Sequence, residues 1–253
     1  TMIFLRRDVK TAPNRLEVVM PKETLRNLPE KLSINSTDWL AWNTRIGCAV
    51  VDDPAKVPAN VIAIPVTDAD NRQAVAKILG DRGVQTETEG VIRSETGEIV
   101  IDKKKGVLTI DTPCGAGGYA DPGQEISARN AGVKVDGLSI GATVFVTSLD
   151  KNPIRKSTRL LVTHLTDLQN TGIKYSESAR QNLYAWGTLP HLVRDGSATV
   201  RITLAEPSSY TVWALSPGGK RLEKIDAKVD AGELVFTAKI RGPDGARMLF
   251  EVA

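Results

Sequence analysis

Residues 197–225, SATVRITLAEPSSYTVWALSPGGKRLEKI, decide the fold. Val200, Ile202 and Leu204 alternate with polar neighbours, the period-two pattern of a strand buried on one face. YTVWAL is a second strand, Pro217-Gly218-Gly219 is a turn, and KRLEKI returns as a third. Downstream, ELVFTAKI places Leu234, Phe236, Ala238 and Ile240 on one face, and GPDG (242–245) turns the chain into RMLFEV. Upstream, ATVFVTSLD and TRLLVTHL are strands joined by the turn DKNP. VIRSETGEIVID and KKKGVLTIDTP read as three short strands with Thr-Gly and Lys-Gly turns. Short strands at this spacing predict an antiparallel β-sandwich over residues 91–253.

Residues 1–90 are less uniform and predict a small mixed α/β or irregular N-terminal portion. RLEVVMP and NVIAIPV are strand candidates, and KETLRNLPEKL carries a short amphipathic pattern in Leu25, Leu28 and Leu32. STDWLAWNTRIG predicts a helical turn capped by Ser36 or Thr37, with Trp39 and Trp42 packing inward. The helix in DADNRQAVAKILGDRG is expected to be capped by Asp70, to bury Val75, Ile78 and Leu79, and to end at Gly80 or Gly83. The chain shows no alternation of strands and long helices of the kind that builds a parallel sheet.

Composition narrows the function classes. In 253 residues, 33 basic and 30 acidic side chains are dispersed rather than clustered, which gives no footprint for nucleic acid. No apolar run approaches the roughly 20 residues of a membrane-spanning helix. The N-terminus lacks the pattern of a signal peptide, and its abrupt apolar start suggests a chain cut from something longer. Cys48, Cys114, His164 and His191 show no metal-ligand spacing, so neither metal nor cofactor is expected.

The stretch DTPCGAGGYADPG (111–123) reads as a glycine-rich loop crowning a sheet edge, with Tyr119 offered to a partner. It lacks the Lys and the following helix of a phosphate loop. A hydrolase reading would use Asp111, Asp121 or Glu125, or Cys114 activated by a histidine. Helix capping accounts for Asp68, Asp70 and Asn71 better than a calcium loop, whose Gly and distal Glu are missing. Aromatic residues are scarce, yet Tyr175, Tyr184 and Trp186 fall close together in GIKYSESARQNLYAWGTLPHL, a segment without clear strand alternation. Rigid aromatic faces stack on the C–H face of a sugar ring, and amides such as Gln181 and Asn182 bond its hydroxyls. The plainer reading of Trp186 is a buried anchor of this segment, and Trp213 reads as a residue of the core or sheet surface.

Across residues 91–215, IRSETGEIVIDKKKGVLTIDTPCGAGG, VFVTSLDKNPIRKSTRLLVTHLTDLQNTGIKY and LYAWGTLPHLVRDGSATVRI follow one another in an order that resembles the C-terminal β-sandwich region of large bacterial glycoside hydrolases. The shared patterns are S-x-T-G-E-I, the Thr-Pro of I-D-T-P, T-S-L-D-x-x-P-I, N-T-G and G-x-x-P-x-L-V, and FLRRDVKTAP resembles the exit from the upstream (β/α)8 catalytic barrel of those enzymes. Cys114 departs from the pattern, standing where a basic residue would follow Thr-Pro. The resemblance implies a secreted or periplasmic accessory module in polysaccharide degradation. Its partners would be an upstream catalytic domain of the same chain and a polysaccharide or oligosaccharide. It carries over no catalytic residue. Trp186, Tyr184, Tyr175 and Tyr119 are the expected carbohydrate contacts. A stand-alone hydrolase and a structural or adhesive sandwich are the competing readings.

Overall fold

The computed structural model describes residues 2–26, 40–51, 56, 61–65, 72–243 and 245–253. The fold is mainly β, and the chain divides into two compact units, Val9–Lys104 and Thr1–Asp8 with Lys105–Ala253. The sequence reading placed its boundary at 90/91 instead.

The larger unit is an antiparallel sandwich. Within it one sheet runs Arg221–Ile225, Val212–Leu215, Leu249–Val252, Leu160–Leu165, Ala142–Ser148, Gly115–Ala120, Val107–Asp111. The facing sheet runs Ala227–Asp230, Glu233–Lys239, Ser197–Thr203, Val133–Asp136, Ile126–Ala128. The inward side chains of both sheets form one core, with Val144, Val162, Val212 and Phe250 from the first and Val135, Val200, Ile202 and Phe236 from the second. The alternation read from the sequence is realised: Val200, Ile202, Leu204, Leu234, Phe236, Ala238 and Ile240 are all buried. Burying such side chains contributes about 1.5–3 kcal/mol each, which is what holds two sheets face to face.

The glycine-rich stretch is not a loop at an edge. Gly115–Ala120 is a strand inside the first sheet, paired to Val107–Asp111 on one side and Ala142–Ser148 on the other. Gly117 and Gly118 have φ of 144° and 154°, in the region that only glycine occupies without strain. A Cβ on Gly118 would stand 1.8 Å from the carbonyl oxygen of Leu108, and one on Gly117 2.2 Å from that of Val144. The ring of Phe145 fills the space that side chains at Gly115 and Gly117 would need, approaching their notional Cβ atoms to 3.2 and 3.0 Å. An aromatic laid across cross-strand glycines restores the apolar cover that glycine lacks.

The smaller unit carries a three-stranded parallel sheet, with Arg15–Pro21 between Arg45–Val51 and Val61–Pro65. This corrects the expectation that no parallel sheet is present; the strands are short, and the one helix longer than five residues among the described residues follows the third of them. That helix, Arg72–Asp81, buries Val75 and Leu79 with Leu16, Leu40, Ile62 and Val84, while Ile78 is exposed rather than buried. It ends as expected at Gly83 (φ 74°), with the Val84 N–H bonded to Leu79 O and the Gly83 N–H to Gly80 O, both at 2.9 Å. Trp42 lies 46% exposed, against the inward packing expected from its spacing to Trp39. Trp39, Leu28, Leu32, Ser36, Thr37, Asp70 and the 68–71 stretch lie outside the described residues. Among the described residues no helix is long and apolar enough to cross a membrane.

Two consequences for stability can be measured. Gly118→Ala collides with backbone rather than with a movable side chain, so strain and overpacking together predict a loss of about 3 kcal/mol or more in denaturant unfolding. An alanine variant as stable as the wild type would show that the strands separate easily there. His164 projects from Leu160–Leu165 and is fully buried. Burial pushes its imidazole below the ordinary value, opposed by the backbone of Ala238. The unfolded chain therefore binds the proton more tightly, and the stability tied to neutral His164 is complete above the ordinary value of about 6.5 and declines as pH falls toward the lowered one. Thermal melts of His164→Leu from pH 7.5 to 5 should show a flatter decline than the wild type. Parallel declines would assign the acid sensitivity to other groups.

Candidate functional site

Between the strands Leu160–Leu165 and Ser197–Thr203 the chain forms a two-stranded ribbon over residues 168–193. Leu168–Thr171 pairs with Thr188–Val193, and further out Lys174–Tyr175 pairs with Leu183–Ala185. The segment expected to be irregular is thus β-structure. Its alternation is hidden because the register shifts at Asn170/Thr171 and again at Lys174/Tyr175.

Side-chain bonds rather than a core hold the ribbon in shape. Asn170 donates through Nδ2 to Trp186 O (2.9 Å), and its Oδ1 meets His191 Nδ1 at 2.7 Å. The Thr171 hydroxyl donates to Pro190 O at 2.7 Å. Gly187, at φ 70°, permits the crossing, since a Cβ there would stand 2.4 Å from Thr171 O. The Asn-Thr-Gly and Gly-x-x-Pro patterns of the sequence are the two halves of this junction. At the tip, Glu177 accepts the N–H groups of Gln181 (2.7 Å) and Asn182 (3.1 Å). Arg180 reaches back to Asp167 with two parallel bonds, 2.9 and 2.6 Å, and lies 5.9 Å above the Tyr175 ring. The Arg180 hydrogen bond holds the Asp167 carboxyl down at about 2, with Gln169 adding a second donor.

On this frame Tyr184 and Trp186 are each 76% exposed. The buried-anchor reading of Trp186 is therefore set aside. Tyr175 is half-buried beneath Arg180, so only part of its face is offered. Tyr119 is not on the ribbon. It stands on the strand Gly115–Ala120, in a cross-strand row with Thr143 and Leu165, the last residue before the chain leaves for the ribbon. Two strand spacings, about 10 Å, separate Tyr119 from Leu165. Its hydroxyl donates to Asp121 at 2.7 Å. Leu168, Leu189 and Leu192 are also largely exposed on the ribbon. The sequence reading passed over them because no alternation marked which faces were covered. Trp213 lies half-buried on the outer face of its sheet.

The remaining candidates are engaged in building the fold. Asp111 accepts the backbone N–H groups of Asn130 (3.0 Å) and Ala131 (2.9 Å), and Glu125 pairs with Lys134 at 2.8 Å. Cys114 bonds only weakly, Sγ to Lys151 O at 3.6 Å, and burial and then Asp8 push its thiol up, away from the thiolate. His164 points into the core and His191 is held by Asn170, so neither is hydrogen-bonded to Cys114. Cys48 and Cys114 are free thiols. Among the described residues no group of three or more His, Cys, Asp or Glu is placed to hold a metal ion.

A scan against protein-family models, a search of curated proteins and a search of solved structures each returned no match.

The bonds at the ribbon's tip make a prediction. Asp167→Asn removes the charge that anchors Arg180, so amide exchange at residues 176–182 should quicken at neutral pH while the sandwich strands stay protected. Unchanged exchange at the tip would show that Glu177 alone sets its order.

Proposed function

We propose that the chain is a non-catalytic accessory β-sandwich module of a polysaccharide-degrading enzyme, and that its ribbon is the glycan-contacting element. One observation carries the reading. Two large aromatic side chains, Tyr184 and Trp186, stand three-quarters exposed on a segment whose backbone is fixed by Asn170, Thr171 and Arg180. Exposed aromatics on an ordered frame lose little entropy when a sugar ring stacks on them. Gln181 and Asn182 lie at the tip, where amides can meet hydroxyl groups. Tyr175, under its guanidinium, and Tyr119, at the row where the ribbon begins, are the secondary contacts in this reading. The order of sequence motifs shared with secreted or periplasmic bacterial glycoside hydrolases supports the same assignment.

A second reading is favoured by Leu168, Leu189 and Leu192, whose exposure suits docking on an upstream catalytic domain of the same chain. In that case the ribbon is a buttress, and sugar is bound elsewhere. The hydrolase reading gains nothing from Asp111, Asp121 and Glu125, each of which has a structural partner.

Affinity electrophoresis in gels carrying plant and algal polysaccharides, neutral and acidic, separates these readings. At least one polysaccharide should retard the wild type, and Trp186→Ala should be retarded clearly less while its stability stays within about 0.5 kcal/mol, as for other surface changes. Retention of full retardation by the alanine variant would move the contact off Trp186. No retardation in any gel would leave the buttress reading.

A further inference from the structure

A second constellation lies on the outer face of the larger unit's first sheet, away from the ribbon's aromatic pair in sequence and built from different strands. Glu251, on the strand Leu249–Val252, points outward yet its side chain is only 3% exposed. Arg159 covers it from one side and Arg221 from the other. Each donates its Nε to a different carboxylate oxygen, Arg159 to Oε1 and Arg221 to Oε2, both at 2.5 Å. The Arg221 guanidinium also lies 5.4 Å above the Trp213 ring, and Trp213 is the cross-strand partner of both Glu251 and Lys224. The two hydrogen bonds from arginine hold the Glu251 carboxyl below its ordinary value, that from Arg221 contributing most, against the effect of burial.

The arrangement fixes two guanidinium groups at one carboxylate's width. Each spends its Nε donor on Glu251, and among the described residues no acceptor takes the Nη donors of either. Their side chains remain 61% and 49% exposed. Two cations thus flank one buried anion. Two oriented guanidinium forks with outward donors match the planar, paired oxygens of a carboxylate or the oxygens of a sulfate ester, and their orientation is set before any ligand arrives.

We infer that Arg159 and Arg221, held by Glu251 and Trp213, form a subsite for the anionic group of an acidic glycan, a uronate carboxylate or a sulfate ester. The inference rests on the glycan-binding reading above and narrows it from glycans in general to charged ones.

The test uses three defined polymers in affinity electrophoresis: polygalacturonate for carboxylate, dextran sulfate for sulfate, and dextran as the neutral arm. The wild type should be retarded at least tenfold more strongly by one of the two charged polymers than by dextran, with retardation falling as salt is raised. Arg159→Gln combined with Arg221→Gln should abolish that preference, whereas Lys151→Gln with Lys228→Gln, which removes equal charge elsewhere, should keep it. Trp186→Ala should reduce retardation by all polymers that bind while leaving the charged-over-neutral ratio intact. Because the glutamine pair strands Glu251, the lysine pair Arg159→Lys with Arg221→Lys is measured alongside. It preserves charge and loses only the fork, and should weaken the charged preference about threefold or more. Whichever charged polymer binds identifies the group. Binding of dextran as tight as that of the charged polymers, or a charged preference untouched by both arginine pairs, would overturn the inference and leave the glycan reading standing. Retardation by none of these polymers or the plant and algal polysaccharides would remove both together.

Discussion

At Gly117 and Gly118 three strands come together with no room for a side chain between them, and the front of the sandwich depends on that closeness. A Cβ at either position would fall within 2.2 Å of a neighbouring carbonyl oxygen. Glycine weakens a strand on its own account, through its conformational freedom and its missing side chain. Here the missing side chains let Val107–Asp111 and Ala142–Ser148 pair with the glycine strand on both sides, and Phe145 supplies the apolar cover. Tyr119 is then fixed on the outer face, and Ala116 and Ala120 on the inner one, where they complete the core.

The turn motifs that stand out in the sequence have local physical work. Asp150, in the T-S-L-D-x-x-P-I run, accepts the backbone N–H groups of Asn152 (3.1 Å) and Thr158 (2.8 Å) and the hydroxyls of Ser148 and Thr158 (both 3.0 Å). Burial pushes its carboxyl up, and these donors together hold it well below the ordinary value all the same. Ser94, in S-x-T-G-E-I, accepts the Ile99 N–H at 3.1 Å, with Gly97 at φ 71° closing the turn. Thr112 donates to Gly115 O at 2.6 Å where Thr-Pro meets the glycine strand. Such patterns specify turns, and turns fix which strands meet. They fix an architecture without fixing an active site, because fold and function are set by different residues.

What could be read in advance follows from the range of the forces involved. The strands of 197–240 declare themselves through alternation, since one face meets a core and the other meets water, and Val200, Ile202, Leu234 and Phe236 all lie where that pattern put them. The glycine strand did not, because its partner Phe145 is distant in the chain and its own composition speaks for a turn. Bulges at Asn170/Thr171 and Lys174/Tyr175 erased the period of the ribbon. The aromatic cluster was visible as composition, but its exposure depends on what the folded chain leaves uncovered. The Arg159–Glu251 pair spans 92 positions and Arg221–Glu251 spans 30, so no local pattern announces the trio.

The two surface features differ in how their order is secured. The outward face of the first sheet is rigid because its inward face is packed: Phe250 and Val252 flank Glu251 in the chain and anchor the strand that presents it. Its backbone geometry is lost only with the fold. Residues 168–193 have no buried core of their own, and their shape rests on side-chain bonds from Asn170, Thr171 and Arg180. Each such bond has a net worth of about 1 kcal/mol, far less than the core beneath the sheet. The ribbon can therefore loosen while the sandwich stays folded. The sheet face, locked before any ligand arrives, suits recognition of a fixed charged group.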